Sequence, residues 1–227
     1  MQEQYKEYDE ELLKNEFLNK HWECLPYIGE RYKETHLLLI GESHYVSEND
    51  IKYVNLTDFY DIPFDDLEGE DYKTWINTRS VYERRVYYHK ELKHFFYNPA
   101  VEIAKIVNQT EVLSKEQIYD AMHRYAFMNY YKRPSFEKGK TIRGLTEKDF
   151  IMAYDVSSFI IEILKPKLIV FISQKAYKAF CNYDNNNLRI KYTIKSVSHP
   201  SSCWWNRRRK DDGCAREDFS KYLKESL

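Results

Sequence analysis

Apolar and polar positions fall into two kinds of block along this chain, stripes at helical spacing and short continuous apolar runs. Tyr5, Tyr8, Leu12, Leu13, Phe17, Leu18 and Trp22 recur every three or four residues, which predicts an opening amphipathic helix. Residues 36–40 form a first buried strand and 125–130 a second. Residues 168–172, continuously apolar, read as a strand covered on both faces. Residues 189–197 give a fourth. Residues 46–71 show little periodicity and many Asp and Asn, and so long a loop in a compact domain is functional or mobile. Residues 72–96 read as a helix with a basic and aromatic character from Arg79, Arg84, Arg85, Tyr87, Tyr88 and His89.

Capping signals divide the remainder. Asn98-Pro99 is a cap and first-turn proline for a helix through Val107. Ser114 to Gln117 fits a capping box. Residues 132–143 form a polar loop. Thr146 caps a helix running to Leu164, stopped by Pro166, and Ser173 caps another over 175–181. Residues 184–187 (Asp-Asn-Asn-Asn) make a turn, and 217–227 closes the chain as a helix. Strands alternating with helices imply a mainly parallel sheet of about four strands with helices on both faces, a three-layer α/β/α sandwich. The expected organisation is a single domain over 1–227 with a helical extension at 1–34. Parallel strands send their carboxyl ends to one edge, where open sheets of this class build their sites. That edge collects residues 41–45, 129–131, 173–174 and 198–202.

Composition narrows the function classes. The 227 residues suffice for one sizeable core, and 43% apolar with 31% charged residues is a folded composition. With 21 Tyr and 12 Phe, some aromatic surface is expected, as core overflow or as stacking platforms. A net charge of −1 supplies no global attraction for polyanions. Nucleic-acid binding then needs a local patch, and the candidate is Arg207 to Lys210, offset at once by Asp211 and Asp212. Cys24, Cys181, Cys203 and Cys214 form no C-x-x-C pair, which argues against a zinc ribbon or iron–sulfur cluster and fits reduced thiols. The charged amino terminus lacks the apolar core of a signal peptide, and no window approaches the ~18 apolar residues of a membrane span. A cytoplasmic protein with no membrane partner is expected.

Two segments carry the candidate chemistry: Gly41-Glu42-Ser43-His44-Tyr45 and Ser198-His199-Pro200-Ser201-Ser202. A serine after a strand with a late histidine suggests a nucleophile and its base, a serine esterase using Ser43 and His199. Tyr45 stands where a nucleophile elbow needs a small residue, and Ser196 stands where an acid would orient the imidazole. Glu42, His44 and His199 are metal-ligand types, but alternate residues on a turn diverge unless the loop curls.

Four segments in order resemble the uracil-DNA glycosylase superfamily. Gly41 to Tyr45 is similar to its first motif, written G-x-D-P-Y or G-E-x-P-G. Ser198 to Ser202 is similar to its H-P-S-P motif. Phe127-Met128-Asn129 resembles the strand whose terminal Asn reads the base, and residues 164–177 resemble its lkPkvivllGkkAy segment. The likeness spans Leu37 to about Arg208.

The resemblance implies a uracil-DNA-glycosylase-like domain acting on or recognising uracil or another unusual base in DNA, single- or double-stranded, without cofactor or metal. A base in a duplex must be swung out before its sugar bond is reachable, and cleavage leaves negative charge on the base and positive charge on the sugar. His199 then donates to the departing base, or else merely pins its loop. Asn129 reads the base edge, and Glu42 orients water or stabilises the sugar. Gly41, His44, Tyr45, Phe64, Pro200 and Ser201 line the pocket, with Tyr45 screening the 5-position and Phe64 stacking, a role Phe59 or Tyr60 would fill equally. Cys203-Trp204-Trp205 takes the place of the wedge that fills the duplex gap, with Ser202 beside it on the DNA, base stacking being worth ~1–3 kcal/mol per base. Arg207 and Arg208 contact phosphates. Ser43 replaces the water-activating Asp, so a catalytically inactive nucleic-acid or nucleotide-binding module on the same fold is the alternative.

Overall fold

The computed structural model describes residues 3–45, 59–66, 76–87, 92–135, 141–185, 187–209 and 213–227. Its centre is a five-stranded sheet of β1 (Tyr27–Ile28), β2 (Leu37–Gly41), β3 (Tyr125–Asn129), β4 (Leu168–Phe171) and β5 (Thr193–Ser196), in the order β1-β3-β2-β4-β5. β2 to β5 pair in parallel, and β1 runs antiparallel along β3. The expected four-stranded sheet therefore gains an edge strand. Two residues are too few to show periodicity, which is why β1 left no trace in the pattern.

The helices are α1 (Glu3–Leu12), α2 (Glu16–Lys20), α3 (Tyr32–Thr35), α4 (Thr78–Val86), α5 (His94–Asn108), α6 (Lys115–Met122), α7 (Glu147–Leu164), α8 (Gln174–Tyr183), α9 (Leu188–Lys191) and α10 (Ala215–Ser226). β2, β3 and β4 are buried along their whole length, as continuous apolar runs require. Successive side chains face opposite ways. Phe127 stacks on Tyr82 of α4 and meets Phe95 of α5 edge-on, while Phe171 packs on Phe180 of α8 with Tyr130 beside it. Helices thus cover both faces. Among the described residues, no helix is long and apolar enough to cross a membrane.

Local chemistry explains where the elements depart from the periodicity. The opening helix splits because the Asn15 side chain accepts the Leu18 N–H and restarts it as α2. Asn98 caps nothing: α5 begins at His94, Pro99 lies inside it, and the Asn98 amide instead donates to the Pro200 carbonyl at 2.7 Å. The fourth strand is shorter than its pattern, because Asp184 accepts the N–H groups of Leu188 and Arg189 and winds the α9 turn first. The box at Ser114 closes as expected, and Thr146 caps α7 as expected, with Asp149 returning a bond that makes this cap reciprocal too. Residues 46–58, 67–75, 88–91, 136–140, 186 and 210–212 lie outside the described residues, and with them most of the expected 46–71 loop.

Residues 132–135 of the expected polar loop after β3 are interior. Arg133 donates to Asp149 at 2.6 Å with both side chains 2% exposed, and its Nη2 donates to the carbonyls of Arg143 and Gly144. Asp149 also accepts from Tyr60 and from the main chain of Thr146. Burial raises the Asp149 carboxyl, but these donors and the guanidinium outweigh it and hold it below the usual range.

Candidate active site at the carboxyl edge of the sheet

Register places the strand ends at one level: Gly41 opposite Asn129, Ile40 opposite Phe171, and Phe171 opposite Ser196. The pairing of 41–45 with the chain after β3 continues past the strands. Tyr130, Tyr131 and Ser135 donate main-chain N–H groups to the carbonyls of Gly41, Glu42 and His44. β3 lies on one side of β2 and β4 on the other, so the strand order reverses between β2 and β4, where sheets of this class leave a crevice.

Glu42 bridges that reversal point. Its Oε1 accepts from the Ile142 N–H at 2.8 Å and from the Thr141 hydroxyl, and its Oε2 accepts from the Ser173 hydroxyl at 2.8 Å. The carboxylate so ties β2 to the segment after β3 and to the first turn of α8. Its charge is felt at surrounding groups, among them Tyr131, which burial raises and Glu42 raises further. It opposes the lowering of Lys175, which burial causes, and adds to the raising of Tyr45 by burial. It also acts on His199.

The His199 loop is built from below by α5. Phe95 stacks on the imidazole at 5.3 Å, and Asn98 holds the Pro200 carbonyl. Ser202 donates both its hydroxyl and its N–H to the His199 carbonyl. The Ser201 N–H donates to Nδ1 of His199 at 3.2 Å. Burial lowers the imidazole's pKa, with Glu42 opposing. A neutral ring whose Nδ1 accepts carries its proton on Nε2. The early glutamate and the late histidine therefore share one edge, as the sequence predicts.

Asn129 is buried against Gly41, where a β-carbon would lie 2.6 Å from the Asn129 Oδ1 and 2.8 Å from the Phe127 ring. Only glycine allows that approach. His44 bonds Thr78 through Nε2 at 2.9 Å, and burial, aided by the Lys132 charge, pulls its pKa down to about 4. Its ring is neutral and engaged. Among the described residues, no three His, Cys, Asp or Glu side chains converge as a metal site.

Several expected roles are corrected. Ser43 is buried, its Oγ sealed and without a hydrogen-bond partner among the described residues, so it is not paired with His199 as a serine nucleophile would be. Trp205 is 1% exposed and packs on Phe219, which makes it core and not wedge. Trp204 alone of the two indoles is open, at 51%, with the Arg207 guanidinium 4.8 Å above its ring. Arg208 leans toward Glu217 at 3.7 Å, which offsets its charge. Phe64 is buried against Trp22, edge-on at 4.8 Å, and anchors its turn to the amino-terminal segment, while Phe59 stacks on His21.

Other groups escaped the sequence. Thr141 and Ile142, the partners of Glu42, follow a polar stretch with no motif of their own. Phe95 reads as an ordinary helix residue, and Asn98 reads as a cap. Lys132 is 3% exposed, its ammonium donating to the Asn129 carbonyl at 2.8 Å. A lysine in a charged stretch gives no sequence signal of burial. A separate groove of about 450 Å³ lies near the other end of α5, lined by Glu102, Lys105, Ser220 and Lys224. Lys105 there is matched by Glu102 and Glu111. No protein-family model matches the chain, and no curated protein matches it.

Proposed function

We propose that the chain is a uracil-DNA-glycosylase-like protein that binds an extruded base of DNA at the carboxyl edge of its sheet and hydrolyses the bond to the sugar. The observation that carries this reading is the Ser201 N–H on Nδ1 of His199, which leaves Nε2–H as a neutral donor. Such a donor stabilises charge as it develops on a departing base without first having to lose a proton. Asn129 presents an amide with no side-chain hydrogen bond among the described residues, suited to a pyrimidine edge. In the reaction the C1′–N bond breaks with its electron pair leaving on the base. Water supplies oxygen to C1′, and its released proton neutralises the base.

One observation favours the non-hydrolytic alternative. Both oxygens of Glu42 already accept hydrogen bonds from the chain, and Ser43 stands where a water-activating carboxylate is expected. A module that holds the base without cutting would need no more. The serine-hydrolase reading draws no support from a sealed Ser43 hydroxyl.

The deciding experiment incubates the full chain with a uracil-containing oligonucleotide and scores both base release and retention on a filter. Base release by the native chain, reduced about 10²–10³-fold in His199→Ala, supports hydrolysis. Retention without release supports the binding module. Neither release nor retention, or release untouched in both His199→Ala and Glu42→Ala, sinks the proposal.

A further inference from the structure

Among the described residues three cationic side chains are buried, and two of them are matched. Arg133 has Asp149, and Arg124 has Asp120 and Glu34. Among the described residues Lys132 has no carboxylate partner, and its ammonium makes one hydrogen bond there, to the Asn129 main-chain carbonyl. The titratable groups that act on it are the Cys24 thiol, from the turn Trp22–Cys24 packed against it, and His44, from the segment after β2. Burial pushes the thiol up and the imidazole down, so both are neutral near pH 7. Burial also lowers Lys132, to about 8, which still leaves it mostly charged.

A buried, uncompensated cation is costly to fold around, and replacing it with an apolar group of similar length commonly stabilises a protein. Its position gives the cost a purpose. Lys132 sits three residues beyond Asn129, and its ammonium holds the main-chain carbonyl of the residue whose side-chain amide is assigned to the base edge. We propose that Lys132 is a positioning residue which, through Asn129, makes this end of the site prefer a negatively charged pyrimidine ring over a neutral one. The inference rests on the base-binding reading above and names the charge state that the site is built for.

The consequence for cleavage is differential. The base is neutral while attached to the sugar and anionic as it departs with the bonding electron pair. A fixed positive charge behind Asn129 gains little with the first and much with the second, which lowers the barrier and not merely the dissociation constant. His199 donates from the loop after β5, and Lys132 supplies charge from the end of β3. The two act from different strands.

The test uses two free rings of similar outline at neutral pH: uracil, which is neutral, and barbiturate, which is anionic. Binding of each to the full native chain and to Lys132→Met is measured by calorimetry, together with thermal melting of both proteins. The native chain is expected to hold barbiturate about tenfold or more tighter than uracil. Lys132→Met is expected to lose that preference while melting on the order of 2–4 °C higher. A purely structural lysine would lower the melting point instead. Lys132→Met that melts lower or fails to fold, or that keeps the preference, overturns the assignment. So does a native chain that binds both rings equally, and that result leaves base binding itself intact. A native chain that binds neither ring overturns the base-binding reading and this inference with it.

Discussion

The Ser173 hydroxyl donates to Oε2 of Glu42 at 2.8 Å and, with the same oxygen, accepts the Ala176 N–H that opens α8. One side chain thereby caps a helix and anchors the carboxylate that spans the reversal of strand order. The placement also sets Glu42 at the positive end of the α8 dipole. Ser173→Ala removes the cap and leaves a carboxylate oxygen short of a donor. The expected loss is about 1–2 kcal/mol, read as a lower urea midpoint with unchanged slope.

The two adjacent indoles should respond in opposite ways. Trp205 is enclosed against Phe219, so Trp205→Ala is expected to cost about 3–5 kcal/mol in stability. Trp204 is open, with Arg207 over its ring, so Trp204→Ala should leave stability within about 0.5 kcal/mol. If this indole stacks on a nucleobase, the same substitution weakens oligonucleotide binding by ~1–3 kcal/mol. Thermal melts and fluorescence anisotropy on a labelled single strand separate the two effects. Unchanged anisotropy for Trp204→Ala would remove this residue from the nucleic-acid surface.

Acid should weaken the fold through its histidines before its carboxylates. His44 is held to about 4 by burial and then by the Lys132 charge, and His199 is lowered by burial against the pull of Glu42. In the unfolded chain both titrate near ~6.5. As pH falls, the unfolded state takes up protons first. Stability is therefore complete above ~6.5 and declines as the pH drops toward about 4. Asp149 and Asp120, whose pKa values are depressed, add their loss at lower pH, starting in the ordinary Asp range near ~3.9 and continuing toward their depressed values. His44→Gln keeps a hydrogen-bonding group for Thr78 and does not titrate. Urea midpoints measured across this window should fall less steeply in His44→Gln than in the native chain.

The layers of the fold were legible because burial on both faces writes itself as unbroken apolar runs. Residues 36–40 and 168–172 carry that signature, Ser114 announces its helix through a capping box, and Thr146 announces its own as an N-cap. β1 was not legible, because two residues have no period. α5 was misplaced by a turn because Asn98 has the chemistry of a cap but spends it on Pro200. At the site, Gly41, Glu42, Asn129 and His199 stood out because their spacing placed them at strand ends. Lys132 did not, and Trp205 stood out for a surface role that it does not have. Whether a charged or an aromatic side chain turns inward depends on what packs against it from elsewhere in the chain, here Cys24 and Phe219.

Gly41 is where packing and recognition meet most closely. It pairs in register with Asn129, and a β-carbon there would stand 2.6 Å from the Asn129 amide oxygen and 2.8 Å from the Phe127 ring. Both distances are well inside van der Waals contact, so Gly41→Ala must displace one neighbour. Phe127 is locked between Tyr82 and Phe95, and the ring has little room to give. The Asn129 amide, which has no side-chain hydrogen bond among the described residues, is the softer of the two and should turn away. Overpacking of this kind costs about 1–3 kcal/mol in stability. Displacing the amide should weaken uracil binding about as much as Asn129→Ala does, and the double variant should lose no more than either single one. Additive losses in that cycle would show that Gly41 and Asn129 act on the ligand independently.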